Sequence, residues 1–336
     1  MPDAPRVSIL LPVFDAAETL PACLRSIQRQ TEPRWQCVVV DDGSGDGSLE
    51  TARRFARCDA RFQVVAAGRR GLVAALGSGT ERCAAAVVAR MDADDLMHRD
   101  RLRAQLSALD AAPELAAVGC HVRLFPRREL GEGMRAYERW LGSIDSPRRV
   151  REEAFVECPV AHPSLAIRRD VLREFGYRDR GWPEDYDLIL RLLEQGREVG
   201  VVPRRLLAWR CGPQRLSRTA AMYRVDRFTA CKASFLVRSF LASSERYVLW
   251  GYGATGKALA RALSAHGRRP SAIVELHPGR VGETIRGAPV IRPEELAGPP
   301  SDPVVVSVAG VQARSEIRAD LARMGFHEIR DYVCAA

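Results

Sequence analysis

Apolar runs and amphipathic helical segments alternate along the first hundred residues. Leu20, Leu24 and Ile27 recur at helical spacing after the first apolar run, and a glycine-rich stretch at 68–79 precedes the last one. Strand, helix and strand in alternation are typical of a parallel α/β sheet. The apolar runs that predict buried strands are 7–12, 37–40, 62–66 and 84–91.

The next hundred residues contain longer polar segments. A helix is predicted over 101–110, where three leucines lie on one face, and another begins at Pro183. Residues 126–150 are polar, rich in arginine and dotted with glycine, and they predict an irregular loop over a site. A basic amphipathic helix or helix pair is predicted over 218–243.

A second α/β pattern begins near residue 246. A short apolar strand at 247–250 is followed by a glycine motif, a helix at 257–265 and further strands at 273–276 and 304–308. We therefore predict a second, smaller Rossmann-like α/β domain. The predicted division is a first domain at 1–217, a basic helical linker at 218–245 and the small domain at 246–336.

Composition and charge restrict the class of protein. The chain has 336 residues and is 46% hydrophobic, which is ample for packed cores and excludes disordered and collagen-like classes. Its 51 lysines and arginines include only two lysines, Lys232 and Lys257, and its formal charge is +9. Positive charge favours anionic partners, but the arginines are scattered and no motif indicates nucleic-acid binding.

Neither a secretory signal nor an apolar membrane span is recognisable in the sequence. Nine cysteines form an odd, widely spaced set without CxxC, which argues against a disulfide framework and a zinc site. We therefore expect a soluble, cytoplasmic protein whose cysteines are mostly small buried residues. The alternative is a peripheral position at the inner membrane face, through the basic helix.

Acidic residues follow two of the predicted strands. Asp92, Asp94 and Asp95 come after one buried strand, and carboxylates at this spacing suit Mg²⁺ or Mn²⁺ with room for diphosphate oxygens. The alternative is that Asp94 or Asp95 caps the next helix. Asp42 stands in a glycine-rich segment after another strand, where acids and glycines also favour a tight turn.

A third acidic pair opens the helix after Pro183. Glu184 and Asp185 lie in its first turn, where the helix dipole favours acids whatever the function. Asp185 shares a face with Leu188 and Leu192, so its side chain is predicted to point inward and to be a general-base candidate.

Taken in order, these motifs resemble family 2 glycosyltransferases of the GT-A fold, over about residues 5–217. This resemblance implies a GT-A nucleotide-diphospho-sugar transferase fold with a Rossmann-like mixed sheet. The segments that carry it are Pro12-Val13-Phe14-Asp15, Val40-Asp41-Asp42-Gly43-Ser44, Arg90-Met91-Asp92-Ala93-Asp94-Asp95, His162-Pro163-Ser164 and Glu184-Asp185-Tyr186-Asp187-Leu188.

The resemblance also implies roles for single residues. Asp185 is implied as the catalytic base, and His162 and Glu184 as residues on the acceptor side, with a packed loop histidine as the alternative for His162. Asp94 and Asp95 are implied as ligands of Mn²⁺ or Mg²⁺. The residues that it implies for nucleotide-sugar binding are Pro12, Phe14, Asp15, Asp42, Asp92 and Asp94. We also expect Arg70, with Arg69 beside it, to contact the diphosphate, because both lie in the glycine-rich loop before the strand that ends in the acids.

The sequence departs from the family at Trp209-Arg210-Cys211-Gly212-Pro213, which replaces a segment that often carries a metal-binding histidine. The QxxRW pattern of processive synthases is absent as well. The predicted function is therefore inverting, metal-dependent transfer of a single sugar from a nucleotide-diphosphate donor, a UDP-sugar, to a glycan or lipid-linked acceptor in surface polysaccharide synthesis. The motifs specify neither the donor sugar nor the oligomeric state.

The glycine motif of the small domain allows two interpretations. Gly251, Gly253 and Gly256 follow a strand and precede a helix, and Glu275 ends the next strand, as in a dinucleotide fingerprint for NAD or a nucleotide. A P-loop is disfavoured because Ala258 replaces the required Ser or Thr. The alternative is a structural or oligomerising module. A rival function follows from the first interpretation, an NAD-linked oxidoreductase or a nucleotide-sugar sensor.

Overall fold

The chain forms two compact units, each built from segments that are not contiguous in sequence. This computed structural model describes residues 4–212, 215, 219–277, 279–296, 298–299 and 302–336. One unit comprises Met1–Val150, Val160–Arg180 and Asp187–Arg215; the other comprises Arg151–Pro159, Gly181–Tyr186 and Leu216–Ala336. The predicted boundary at 217 and 218, like Pro213, lies outside the described residues, and the predicted domain division stays a prediction.

Among the described residues, the first sheet has eight strands: β1 Val7–Val13, β2 Trp35–Asp41, β3 Phe62–Ala66, β4 Val87–Arg90, β5 Leu96–Met97, β6 Leu115–Phe125, β7 Ala166–Arg168 and β8 Glu198–Arg210. Their order in the sheet is β3-β2-β1-β4-β7-β6-β8-β5. The helices up to residue 194 are α1 Leu20–Gln28, α2 Ser48–Cys58, α3 Leu72–Arg82, α4 Arg101–Ala111, α5 Glu132–Leu141, α6 Pro147–Glu153, α7 Arg169–Phe175 and α8 Glu184–Glu194.

Strand direction places several strand ends on one edge of this sheet. β1, β2, β3 and β4 are parallel, β7 runs antiparallel to both β4 and β6, and β8 is parallel to β6. The carboxyl ends of β1, β2, β4, β6 and β8 therefore share one edge. Ligands of open α/β sheets bind beyond such carboxyl ends. The predicted Rossmann-like mixed sheet is confirmed.

The glycine-rich stretch is largely helical. α3 begins at Leu72, so only the residues before it form a loop. Gly79 lies inside this helix because of packing: a Cβ there would come 2.3 Å from Leu10 Cδ1 and 2.8 Å from Val40 Cγ2. Glycine thus lets the helix lie close against the sheet.

The prediction of an irregular loop over residues 126–150 is wrong. A short 3₁₀ turn is followed by α5, and α6 begins at Pro147. Polar composition concealed α5 because only Trp140 and Leu141 of its ten residues are buried. Its other positions are half-buried or exposed, and Arg139 and Glu132 form an exposed ion pair at 2.5 Å.

Within the part of the chain that the structure describes, the second sheet has six strands: β9 Arg246–Trp250, β10 Arg269–Val274, β11 Thr284–Ile285, β12 Ala288–Ile291, β13 Val304–Val306 and β14 Tyr332–Cys334. Their order is β11-β12-β10-β9-β13-β14, and among these described strands only the β11–β12 pair is antiparallel. The helices are α9 Val225–Arg238, α10 Ala254–Ala265 and α11 Val311–Arg323. This confirms the predicted second α/β sheet.

Alternation along the strands of this sheet builds two cores, because neighbouring side chains point to opposite faces. Leu249 packs on one face with Leu259 of α10 and Leu236 of α9. Trp250 packs on the other face with Leu321 of α11. The apolar side of α9 therefore lies in a protein core.

None of the helices in the described residues is long and apolar enough to cross a membrane. The nine cysteines, all within the described part of the chain, form no disulfide with one another, and eight of them are buried. Their predicted role as small core residues is confirmed.

Candidate functional site

The acidic cluster lies directly beyond the carboxyl end of β4. One carboxylate oxygen from each of Asp92, Asp94 and Asp95 lies within 4.8 Å of the others. Neither Asp94 nor Asp95 caps a helix, because they precede β5 and the residue before α4 is Asp100. The three side chains lie together as the sequence predicts, and the capping alternative is wrong.

Asp92 is held ionised by cations around it. Its Oδ1 lies 2.7 Å from Nη2 of Arg90, which is itself buried. Burial raises the pKa of Asp92. The charges of Arg90, Arg215 and His162 lower the pKa by more than burial raises it, so it falls below its usual value. Asp92 therefore contributes a fixed negative charge to the cluster.

The environment of Asp94 and Asp95 is the opposite. Burial and the Asp92 charge raise the pKa of Asp94. Burial, Asp92 and Asp94 raise the pKa of Asp95 well above its usual value. Two acids that resist ionisation beside a third ionised acid form a place where a cation is favoured.

Asp95 also has an unused oxygen. Its Oδ1 accepts the backbone N–H of Arg210 at 2.7 Å, while Oδ2 is buried and has no hydrogen-bond partner among the described residues. The side chain of Arg210 reinforces this arrangement because its Nε donates to the backbone oxygen of Asp94 at 2.8 Å. An all-oxygen donor set with an unsatisfied buried carboxylate fits Mg²⁺ or Mn²⁺.

Two further arginines of this site were missed from the sequence. Arg101 is fully buried, and its Nη2 donates to the backbone oxygen of Arg90 at 2.9 Å. Arg215 lies over the Trp209 ring at 4.5 Å and lowers the pKa of the acids electrostatically. Arg101 looked like an ordinary first residue of a helix, and Arg215 falls outside every recognised motif.

The end of β2 organises the loop before α3. Asp42 accepts backbone N–H groups from Arg70 at 2.8 Å and Gly71 at 2.9 Å. Its neighbour Asp41 accepts N–H groups on Oδ2, while its buried Oδ1 has no hydrogen-bond partner among the described residues. Asp42 thus positions the loop, and Asp41, which sequence reasoning passed over, offers the unused acceptor.

Beyond the end of β1, Phe14 and Asp15 are exposed, whereas Pro12 is buried in the strand. The guanidinium of Arg69 lies 4.8 Å from the centre of the Phe14 ring. Asp15 adopts a positive φ of 44° and accepts the N–H of Gly45 at 2.8 Å. The contact of Asp15 with Gly45 joins the loops after β1 and β2, and the Phe14 ring beside it is exposed.

His162 is nearly buried, and its Nε2 lies 3.0 Å from the hydroxyl of Tyr177. Its charge contributes to the lowered pKa of Asp92, so it belongs to the surroundings of the acidic cluster. The arrangement agrees both with a site residue and with the alternative of a packed loop histidine.

Asp185 and Glu184 belong to the second unit. Asp185 is half-buried and its Oδ1 accepts the N–H of Tyr186 at 2.8 Å. Glu184 is nearly inaccessible and accepts the hydroxyl proton of Tyr223 at 2.6 Å. Helical periodicity pointed to Asp185 as the inward acid, yet Glu184 and Asp187 are more deeply buried because residues all around this first turn are enclosed.

The three motif glycines of the second unit differ in their surroundings. Gly251 has φ +95°, and a Cβ on Gly256 would come 2.1 Å from the Gly251 oxygen, so turn and helix packing require both. At Gly253, an added Cβ would have none of the described residues within 4 Å apart from its chain neighbours. In dinucleotide folds the middle glycine is the one that admits the pyrophosphate.

Other groups around this loop divide between the two interpretations. The Ser307 hydroxyl, directly after β13, is buried without a hydrogen-bond partner among the described residues. Glu275, however, accepts Nη1 of Arg280 and the N–H of Tyr252, at 3.1 and 3.3 Å. Its carboxylate thus fastens the glycine loop to the end of β10.

Comparison with known proteins decides the family. The model of Glycosyl transferase family 2 matches residues 8–176, which include the acidic cluster. The chain belongs to glycosyl transferase family 2. Family membership establishes that it is a glycosyltransferase with a GT-A-type first sheet.

The similarity of this family 2 enzyme to two curated relatives extends beyond single motifs. The amylovoran biosynthesis glycosyltransferase AmsE of Erwinia amylovora is 32% identical over 209 residues, covering 61% of this chain and 76% of AmsE. The putative glycosyltransferase EpsE of Bacillus subtilis is 28% identical over 202 residues, covering 58% of this chain and 69% of EpsE.

A solved structure supports the family 2 fold. The S. aureus TarS 1-349 complex with UDP-GlcNAc aligns with TM-score 0.56 and 14% identity, covering 78% of this chain and 72% of that chain. At this identity the likeness concerns the fold alone.

Proposed function

We propose that this family 2 enzyme transfers a single sugar from a UDP-sugar donor to a glycan or lipid-linked acceptor, with a divalent metal and inversion at the anomeric carbon. The observation that carries the proposal is the convergence of Asp92, Asp94 and Asp95, with the buried Asp95 Oδ2 unsatisfied. TarS has been crystallised with UDP-GlcNAc, which supports a nucleotide-sugar donor. AmsE is named for amylovoran biosynthesis, which supports a role in polysaccharide biosynthesis.

The donor would lie across the carboxyl ends of β1, β2 and β4. Asp41 and Asp42 would face the base, and the exposed Phe14 ring would stack against it. Arg69 and Arg70, both exposed on the loop that Asp42 fixes, would meet the diphosphate. Asp94 and Asp95 would hold Mn²⁺ or Mg²⁺, which when bound supplies positive charge to the leaving diphosphate.

Asp185 would serve as the general base. It accepts the proton of the acceptor hydroxyl, the hydroxyl oxygen forms the new bond to the anomeric carbon, and the bond to the diphosphate oxygen breaks. The electron pair leaves with the nucleoside diphosphate. A single displacement without a covalent intermediate inverts the configuration at that carbon.

Nucleotide release over a panel of donor sugars with Mn²⁺ tests this proposal. Asp185→Asn should reduce release by about 10²–10⁴-fold, because it removes the base without changing the shape of the side chain. The matched control is Asp170→Asn in α7, whose carboxylate also accepts the next residue's N–H in a helical first turn, at 2.9 Å. Undiminished release by Asp185→Asn, or no release with any donor, contradicts the mechanism.

A second binding function is proposed for the second unit. We infer that an NAD-type dinucleotide lies at its glycine loop, because Gly253 leaves space and the Ser307 hydroxyl lacks a partner among the described residues. Calorimetric titration of the full chain with NAD⁺ tests this. Gly253→Val should abolish binding and keep the unfolding temperature. If the wild type gives no heat of binding, the dinucleotide proposal fails. The contact of Glu275 with Arg280 then has only a structural role in the loop.

A further inference from the structure

A small positively charged cleft lies on the first sheet, apart from the acidic cluster. It has a volume of about 100 Å³ and is lined by Arg123, Arg127, Arg205 and Glu138. That space exceeds the roughly 10–15 Å³ that one water needs. None of these residues is used by the proposed transfer mechanism.

Two parallel strands and one helix build the cleft. Arg205 of β8 and Arg123 of β6 both line the cleft, and the pairing of these two strands changes register on either side of His121, which is opposite Arg205. Helix α5 packs on β6 and contributes Glu138, whose Oε1 accepts the N–H of Leu124 at 2.8 Å. The cleft is therefore lined by side chains from two strands, one helix and the 3₁₀ turn that begins at Arg127.

Its charges do not cancel. Glu138 Oε2 pairs with Nη1 of Arg127 at 2.5 Å. Burial raises the pKa of Glu138, but Arg127, the Leu124 N–H and Arg205 outweigh it and the pKa is lowered, so Glu138 is ionised at neutral pH. Within the described residues, Arg123 and Arg205 form no ion pair with an acid. Three guanidinium groups thus surround one carboxylate.

The cleft lies close to the end of the sheet that carries the acids. Arg123 is two residues, about 7 Å, before Phe125 at the end of its strand. The Phe125 ring lies 4.5 Å from the guanidinium of Arg210, whose backbone N–H holds Asp95. The cleft and the acidic cluster are therefore connected through Phe125 and Arg210, which are paired at the ends of β6 and β8.

We propose that this cleft binds an oxyanion, a phosphate or a carboxylate, of an anionic acceptor. The proposal rests on the proposed function for the identity of the acceptor, while the oxyanion chemistry follows from the three guanidinium groups. Arginine presents planar paired donors that match both kinds of oxyanion. Glu138 keeps Arg127 in place and leaves Arg123 and Arg205 to contact the ligand.

The test measures binding without requiring transfer. Dimethyl phosphate, a diester as in lipid-linked acceptors, and glucuronate, an acidic sugar, are titrated separately by NMR at low ionic strength. The double variant Arg123→Gln with Arg205→Gln should weaken binding at least about tenfold, because two charge-assisted contacts are lost. Arg204→Gln is the matched control, since it removes an exposed arginine next to Arg205 that does not line the cleft.

A loss of the diester alone supports a phosphate-bearing acceptor, a loss of glucuronate alone supports an acidic sugar, and a loss of both supports a general oxyanion site. Equal affinity in all three proteins, or no binding by the wild type, overturns the proposal. If the double variant unfolds early, the single variants replace it. Failure of nucleotide release with anion binding intact would count against the transferase mechanism and leave this cleft standing.

Discussion

Asp95 combines three features that ordinary surface acids lack. It is fully buried, its pKa is raised by burial and by Asp92 and Asp94, and Oδ2 has no hydrogen-bond partner among the described residues. An unsatisfied buried carboxylate costs free energy of folding. A bound divalent cation removes that cost, so metal affinity and stability are linked at this residue.

Removal of the metal should therefore destabilise the protein. With Mn²⁺ at about 100 times its dissociation constant, we expect the free energy of unfolding to rise by about 2.7 kcal/mol. Asp95→Asn should lose most of this gain, because an amide oxygen is a neutral ligand. Asp145→Asn, an exposed acid outside the cluster, should keep it. Thermal unfolding with Mn²⁺ and with a chelator gives the comparison; an undiminished gain in Asp95→Asn would exclude the metal role.

The roles of single residues were predictable where the residue type itself indicates the chemistry. The acids after β4 converge as the sequence predicted because parallel strands end on one edge. The partners of Asp42 were not predictable, since they are backbone N–H groups that any residue supplies. Arg101 was missed for another reason: a buried arginine has the same local pattern as an exposed one.

At the scale of elements, the contact between α3 and the sheet depends on one glycine. Gly79→Ala should destabilise the protein by about 1–3 kcal/mol, because a methyl group there overlaps Leu10 and Val40 and forces them to move. Gly77→Ala in the same helix is the control, with nothing within 4 Å of the added Cβ.

The control should stabilise α3 by about 0.5–1 kcal/mol, since alanine loses less backbone freedom in a helix than glycine does. Urea unfolding of both variants gives the two values. Equal effects of the same sign in the two variants would contradict the close contact of Gly79 with Leu10 and Val40.

Elements were predictable where a repeating apolar pattern extends over several turns or a whole strand. The runs at 7–12 and 62–66 became β1 and β3, and the helix at 101–110 became α4. Helix α5 was missed because its few buried residues lie at one end, and the two-residue strands β5 and β11 are too short to show any period. Tertiary contacts, not local pattern, define these elements.

At the scale of the whole molecule, the sequence predicted two α/β sheets. It could not predict that each unit is built from segments that are separate in sequence. The second unit includes Arg151–Pro159 and Gly181–Tyr186, which lie inside the stretch that the family motifs span. Such membership follows from contacts between residues far apart in sequence, which no local pattern encodes. Lys232 makes one of these contacts within the second unit.

Lys232 joins three distant segments of that unit. From α9, its Nζ donates to the backbone oxygens of Val156 at 3.0 Å and Ala335 at 2.6 Å. Burial lowers its pKa from 10.5 to about 8, and the charge of Glu157 opposes this only in part. The folded protein thus holds the Lys232 proton less tightly than the unfolded chain does.

This shift predicts how stability changes with pH. Below about pH 8 both states are protonated, so the cost of the buried charge is fully present. Between about pH 8 and 10.5 the unfolded chain binds more protons, and the contribution of Lys232 to stability rises with pH by up to about 3 kcal/mol. Lys232→Met removes the titration while keeping most of the side-chain volume.

The measurement is the difference in unfolding free energy between wild type and Lys232→Met, from urea titrations at pH 7 to 10.5. Cysteine and tyrosine titrations occur in both proteins and cancel in this difference. We expect the wild type to gain on the variant as pH rises through this window. A difference that stays constant, or that falls, as the pH rises would mean that the Lys232 ammonium group is hydrated in solution. Lys232 would then not be a buried charge in contact with Val156 and Ala335.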